Sequence, residues 1–75
     1  MGALRVPDLG RVEGGIVLVA WLASDGETVA EGQEVVELET SKVTFAVEAP
    51  RAGVLSTAVS VGETVDVGDV LGRLA

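Results

Sequence analysis

The sequence predicts an all-β chain in which two similar halves form two sheets over one core. Three observations lead there. The first is period-two alternation in the longest stretch free of glycine and proline, Gln33 to Ala49. Val36 and Leu38 fall on one face with Glu37 and Glu39 on the other, and the branched, alternating pattern is that of a strand rather than a helix. The second is punctuation: ten glycines and two prolines divide the chain into short segments. The third is an internal repeat. Ser24-Asp25-Gly26-Glu27-Thr28-Val29-Ala30-Glu31-Gly32 recurs as Ser60-Val61-Gly62-Glu63-Thr64-Val65-Asp66-Val67-Gly68, 36 residues later, and the same register carries Leu38 onto Leu74. Two matching halves of a short β chain suggest a pseudo-twofold pair of sheets.

Taken in order, Leu4-Arg5-Val6 reads as a terminal strand and Ile16–Trp21 as an apolar strand buried on most sides. Gly26-Glu27-Thr28-Val29 and Gly62-Glu63-Thr64-Val65 read as turns entering short strands. Gly26, Gly32, Gly62 and Gly68 are expected to be structural, since glycine can take positive φ where the chain reverses. The Val36–Glu39 strand is joined at Ser41-Lys42 to a second strand, with Val43, Phe45 and Val47 on one face and Thr44, Ala46 and Glu48 on the other. Gly53 opens a strand with Val54, Leu55, Ala58 and Val59, paralleling Gly15-Ile16-Val17-Leu18, and Val70–Leu74 forms the last.

Seventy-five residues make one small domain, 1–75. Such a chain buries only about 60% of its unfolded surface, but an apolar fraction of 48% makes a core feasible. There is no cysteine, hence no disulfide or thiol chemistry, and no histidine, the commonest general base. Without histidine or a second lysine, the serines and threonines cannot form a hydrolytic triad, so an independent enzyme is not expected. A net charge of −7 argues against nucleic acid and against an anionic membrane surface. It favours solubility or a partner with a basic docking patch. The longest apolar run, Ile16 to Leu22, is too short to span a bilayer, and no targeting segment is visible, so a cytoplasmic location is expected.

Lys42 is the only lysine. It lies in Glu39-Thr40-Ser41-Lys42-Val43, among polar and β-branched residues, at an expected hairpin tip. Most exposed lysines are solvated charges, yet a unique amine at a turn is also a suitable point of covalent attachment. The acids Glu27, Glu31, Glu34 and Glu37 make an acidic surface, which serves either solubility or docking onto basic enzymes.

Glu39-Thr40-Ser41-Lys42-Val43 resembles the lipoylation hairpin of the lipoyl domains of 2-oxo acid dehydrogenase complexes, where Asp commonly stands at the position of Ser41. The likeness extends to Val6-Pro7-Asp8-Leu9-Gly10, Glu13-Gly14-Gly15 before the strand with Trp21, Glu48-Ala49-Pro50 with Ala52-Gly53-Val54-Leu55, and both Gly-Glu-Thr-Val turns. The resemblance implies a flattened barrel-sandwich of two four-stranded antiparallel sheets, with lipoic acid in amide linkage to Lys42. It implies turn or recognition roles for Glu39, Thr40, Ser41, Val43, Gly15 and Gly53. It also implies a set of partners: a lipoate ligase or octanoyl transferase, a thiamine-dependent 2-oxo acid decarboxylase, an acyltransferase and a flavin-dependent dihydrolipoyl dehydrogenase. The domain itself would be a non-catalytic carrier and substrate. Biotin carrier domains share the fold, but their lysine is usually flanked by Met, and the sole Met here is Met1. An unmodified structural domain of the same fold is the remaining alternative. It usually lacks the lysine.

Overall fold

A computed structural model describes residues 2–10 and 12–75, and shows eight strands. They are β1 (Gly2–Arg5), β2 (Ile16–Trp21), β3 (Thr28–Val29), β4 (Glu34–Glu39), β5 (Thr44–Glu48), β6 (Gly53–Thr57), β7 (Thr64–Val65) and β8 (Val70–Leu74). Two four-stranded antiparallel sheets run β1-β8-β6-β3 and β5-β4-β2-β7. The principal extents of 33, 21 and 16 Å give the flattened outline of a barrel-sandwich.

The order of strands makes the pseudo-twofold explicit. β1, β8, β6 and β3 take the places of β5, β4, β2 and β7 in the other sheet. Local hydrogen bonds repeat with it. The Ser24 N–H donates to Glu27 Oε1 (3.0 Å), and Ser60 N–H to Glu63 Oε2 (2.6 Å). Ala30 N–H donates to Gln33 Oε1 and Asp66 N–H to Asp69 Oδ2, so each turn of the repeat closes on a side-chain acceptor three residues ahead. Gly26, Gly32, Gly62 and Gly68 all have positive φ, between 83° and 93°, as the turns required.

The equivalent strands β4 and β8 carry a bulge at the same place. The β4–β5 register slips between Glu34 and Val36, and the β1–β8 register slips between Leu4 and Arg5, opposite Leu71. Val35 and Leu71 are the extra residues, and both are fully buried. Strict alternation places Val35 on the outer face. The bulge turns it inward beside Val36, so β4 contributes two consecutive residues to the core. A third slip lies in β2, where Leu18 faces Leu38 but Ala20 faces Glu37, leaving Val19 as an insertion. Its counterpart β6 pairs Leu55, Ser56 and Thr57 with Leu74, Arg73 and Gly72 without interruption. The extra Val19 explains why Leu18 matches Leu55 while the downstream repeat is offset by 36. It also aligns Ile16, not Gly15, with Gly53: Ile16 pairs with Val65 as Gly53 pairs with Val29.

The core lies between the sheets and is aliphatic, centred on Leu4, Leu18, Leu38, Leu55, Leu71 and Leu74. No polar or charged residue is buried among the described residues. β2 is less buried than its apolar run suggests. Only Ile16 and Leu18 are enclosed, because the sandwich covers one face of each sheet. Trp21 is half-buried and donates its indole N–H to the Val59 carbonyl at 2.8 Å. β6 ends at Thr57, so Ala58 and Val59 fall in the connection beyond it. Gly72 meets Ser56 so closely that a Cβ would lie 2.5 Å from the Ser56 carbonyl oxygen, which makes glycine necessary where β8 pairs with β6.

Candidate functional site

β4 and β5 are the longest continuous pair, in register from Val36–Val47 to Glu39–Thr44, and Thr40–Val43 closes them. A two-residue hairpin turn ordinarily needs positive φ at its tip. Neither Ser41 nor Lys42 has it. The Thr40 side chain makes the difference. Thr40 N–H donates to the Val43 carbonyl at 2.8 Å, and the return bond from Val43 N–H goes to Thr40 Oγ1 (3.2 Å). The same oxygen accepts from Lys42 N–H at 3.3 Å, and the hydroxyl lies 3.3 Å from the Val43 carbonyl as a donor. Two backbone donors at the apex are therefore held by one hydroxyl, and the Lys42 side chain projects from a fixed backbone. Glu39 and Thr44 face each other below the turn, with Thr44 Oγ1 donating to Glu39 Oε2 at 3.3 Å.

Val43 belongs to this turn and not to the strand in which alternation put it; it is 58% exposed beside the lysine. Phe45 and Val47 follow in β5, partly buried against the core. Ser41 reaches sideways, donating to the Glu13 carbonyl at 3.4 Å. That contact brings the segment before β2 to the turn, including Gly15, whose φ of 85° sets the entry into β2. A carboxylate at position 41 has no proton to donate to a carbonyl, so this link belongs to serine.

The structure does not bring Gly53 to the turn. It pairs with Val29 in the other sheet, and a Cβ there would lie 2.8 Å from the Ala75 carbonyl oxygen. Its role is close packing against the C-terminus. The five residues of β5 carry the chain about 17 Å from the Lys42 turn. Beyond them lie Arg51, against Gly2, and Gly53, against Ala75. The termini thus meet at the far end of β5 from the lysine, as the repeat implied.

A cleft of about 560 Å³ opens beside the turn, lined by Leu9, Val12, Glu13, Thr40, Ser41, Lys42, Val43 and Phe45. Leu9 and Val12 were not anticipated at the site. Their signal was present as two apolar residues in a glycine-rich polar stretch. Gly10 N–H donates to Asp8 Oδ1 at 2.9 Å, an Asx turn that folds the segment back. On the opposite side of the turn is a polar hollow lined by Glu39, Thr40, Ser41, Lys42, Val43 and Thr44.

The model of the biotin and lipoyl family, described as a biotin-requiring enzyme, matches residues 2–74. The chain belongs to this family. Its relatives within the family point to the lipoyl branch. The chain is 33% identical, over its whole length, to the dihydrolipoyllysine-residue succinyltransferase component of the 2-oxoglutarate dehydrogenase complex of Bacillus subtilis, covering 18% of that protein. It is 41% identical, over 95% of its length, to the corresponding component of Bartonella vinsonii subsp. berkhoffii, again covering 18%. The chain thus spans less than a fifth of the length of these relatives. The solution structure of the lipoyl domain of the 2-oxoglutarate dehydrogenase complex from Azotobacter vinelandii superposes with a TM-score of 0.77 at 28% identity, covering 97% of this chain and 94% of that one. This member of the biotin and lipoyl family is therefore a lipoyl-type domain homologous to those of 2-oxo acid dehydrogenase acyltransferases.

Proposed function

We propose that Lys42 is the attachment point of lipoic acid and that residues 1–75 act as one cytoplasmic carrier unit with no catalysis of their own. The observation that carries this reading is the placement of the sole lysine at the apex of a turn fixed by the Thr40 hydroxyl. The side chain is exposed, and its backbone N–H is bonded to Thr40 Oγ1. A lysine amine in water is ordinarily protonated and a poor nucleophile, so activation falls to the modifying enzyme, a lipoate ligase or octanoyl transferase. Nζ gives up a proton and forms an amide with the activated carboxyl as the activating group leaves. Thr40 holds the Lys42 backbone and Ser41 ties the turn to Glu13, which lowers the ordering cost of recognition.

Once attached, a lipoyl group supplies a disulfide that takes up an acyl group and electrons and passes them on. The chain's own contribution is presentation. The lysine turn stands at one end and the termini at the other, so a neighbouring domain joined at the termini does not obstruct it. The partners of the reading are a thiamine-dependent 2-oxo acid decarboxylase, an acyltransferase and a flavin-dependent dihydrolipoyl dehydrogenase. The biotin alternative has less support, because Ser41 and Val43, not methionines, flank the lysine.

The test is reductive acylation by a purified 2-oxo acid decarboxylase, followed by mass. The lipoylated chain gains an acyl group and a Lys42→Arg chain does not. Equal acylation of both would overturn the reading.

A further inference from the structure

Lys42 stands between two unlike surfaces. One side of its turn is polar, lined by Glu39, Thr40 and Thr44. The other is the cleft walled by Leu9, Val12, Val43 and Phe45. A volume of about 560 Å³ lies within the ordinary range of small-ligand sites, roughly 300–1,000 Å³. Leu9, Val12 and Phe45 pack against the core behind it, so the wall has backing. Ser41, through its contact with Glu13, ties the lysine turn to the opposite rim.

The charged amine of a bare lysine gains nothing from this apolar wall and remains in water. Acylation removes that charge and adds a hydrocarbon chain rooted in the cleft's own lining. Folding back removes apolar surface from water without the loss of translational freedom that a separate ligand suffers. Extension leaves the chain fully hydrated.

We propose that the Leu9–Val12–Val43–Phe45 cleft is an intramolecular seat for a medium-chain acyl group on Lys42, so that the modified arm rests against its own domain and is extended only when a partner draws it out. The proposal rests on the carrier reading for the identity of the acyl group. The seat makes a resting arm less accessible. An arm seated roughly nine-tenths of the time reacts with a soluble reagent roughly tenfold more slowly than a free one.

The experiment uses the isotopically labelled chain after treatment with a lipoate ligase and lipoate, with the adduct first located by peptide mass. Nuclear Overhauser contacts are then sought between the arm's methylene protons and the Leu9, Val12 and Val43 methyls and Phe45 ring. In parallel, the rate of disulfide reduction by a water-soluble phosphine is compared with that of free lipoamide. Contacts to the cleft, with reduction slower than lipoamide and restored by Val43→Ser or Val12→Ser, are expected. Val43 is exposed, so its variant does not endanger the fold. Absent contacts and a rate equal to lipoamide would overturn the seat. If the ligase leaves Lys42 bare, the carrier reading fails separately. The seat is then tested by the same contacts in the chain acylated with activated octanoate, with the adduct on Lys42 separated from any on the N-terminal amine by peptide mass.

Discussion

At the apex of the β4–β5 hairpin, Thr40 substitutes a side-chain oxygen for the backbone carbonyl that a left-handed turn would have used. Thr40→Val keeps the shape and removes the acceptor for Lys42 and Val43 N–H. The turn is exposed, so water takes over the bonds and the fold survives. What is lost is order at the lysine. About 1 kcal/mol, a typical net hydrogen bond, corresponds to a roughly fivefold fall in the rate of lipoate ligation. Ligation kinetics with circular dichroism as a fold control measure this, and an unchanged rate would remove Thr40 from the positioning role. Lys42 itself was legible in the sequence because it is the only lysine. The role of Thr40 was legible only as a turn former. Ser41's link to Glu13 was not visible, because it joins residues 28 apart whose approach depends on the assembled sheet.

Strand boundaries were readable where alternation is regular and misread where the chain bulges. Val36, Leu38, Phe45 and Val47 face inward as the pattern implied. Val35 is buried against the pattern, and its repeat mate Leu71 is the clue that both are bulge residues. Val43 departs from its strand because the turn needs four residues, Thr40 to Val43, rather than two. The Val19 insertion gives a sharp prediction for an element. Deleting Val19 leaves Leu18 and Ala20 adjacent, like Leu55 and Ser56 in β6, and every core residue keeps its face. The deletion is expected to retain cooperative unfolding in urea. Deleting Val17 instead inverts part of the strand, since a one-residue shift moves side chains to the other face, and unfolds the chain. Equal tolerance of both deletions would contradict the bulge assignment.

Across the whole molecule, the repeat in the sequence anticipated the pairing of sheets and the placement of the termini away from Lys42. It did so because matching turns enforce matching hydrogen bonds in each half. The cleft was not anticipated, since it depends on Leu9 and Val12 arriving from outside the repeat. The symmetry makes Leu18 and Leu55 equivalent core residues, both fully buried. Leu18→Ala and Leu55→Ala should each cost about 2–5 kcal/mol, as read from urea midpoints. A domain of this size has only about 4–11 kcal/mol in total, so either variant is markedly closer to unfolding. The central claim, that Lys42 is the lipoylated residue, is tested most directly by intact and peptide mass after incubation with a lipoate ligase, with a biotin ligase and biotin run in parallel. The account predicts a lipoyl adduct on the peptide containing Lys42, none in Lys42→Arg, and none from biotin. A biotin adduct, or a folded chain left bare by the lipoate ligase, would contradict it.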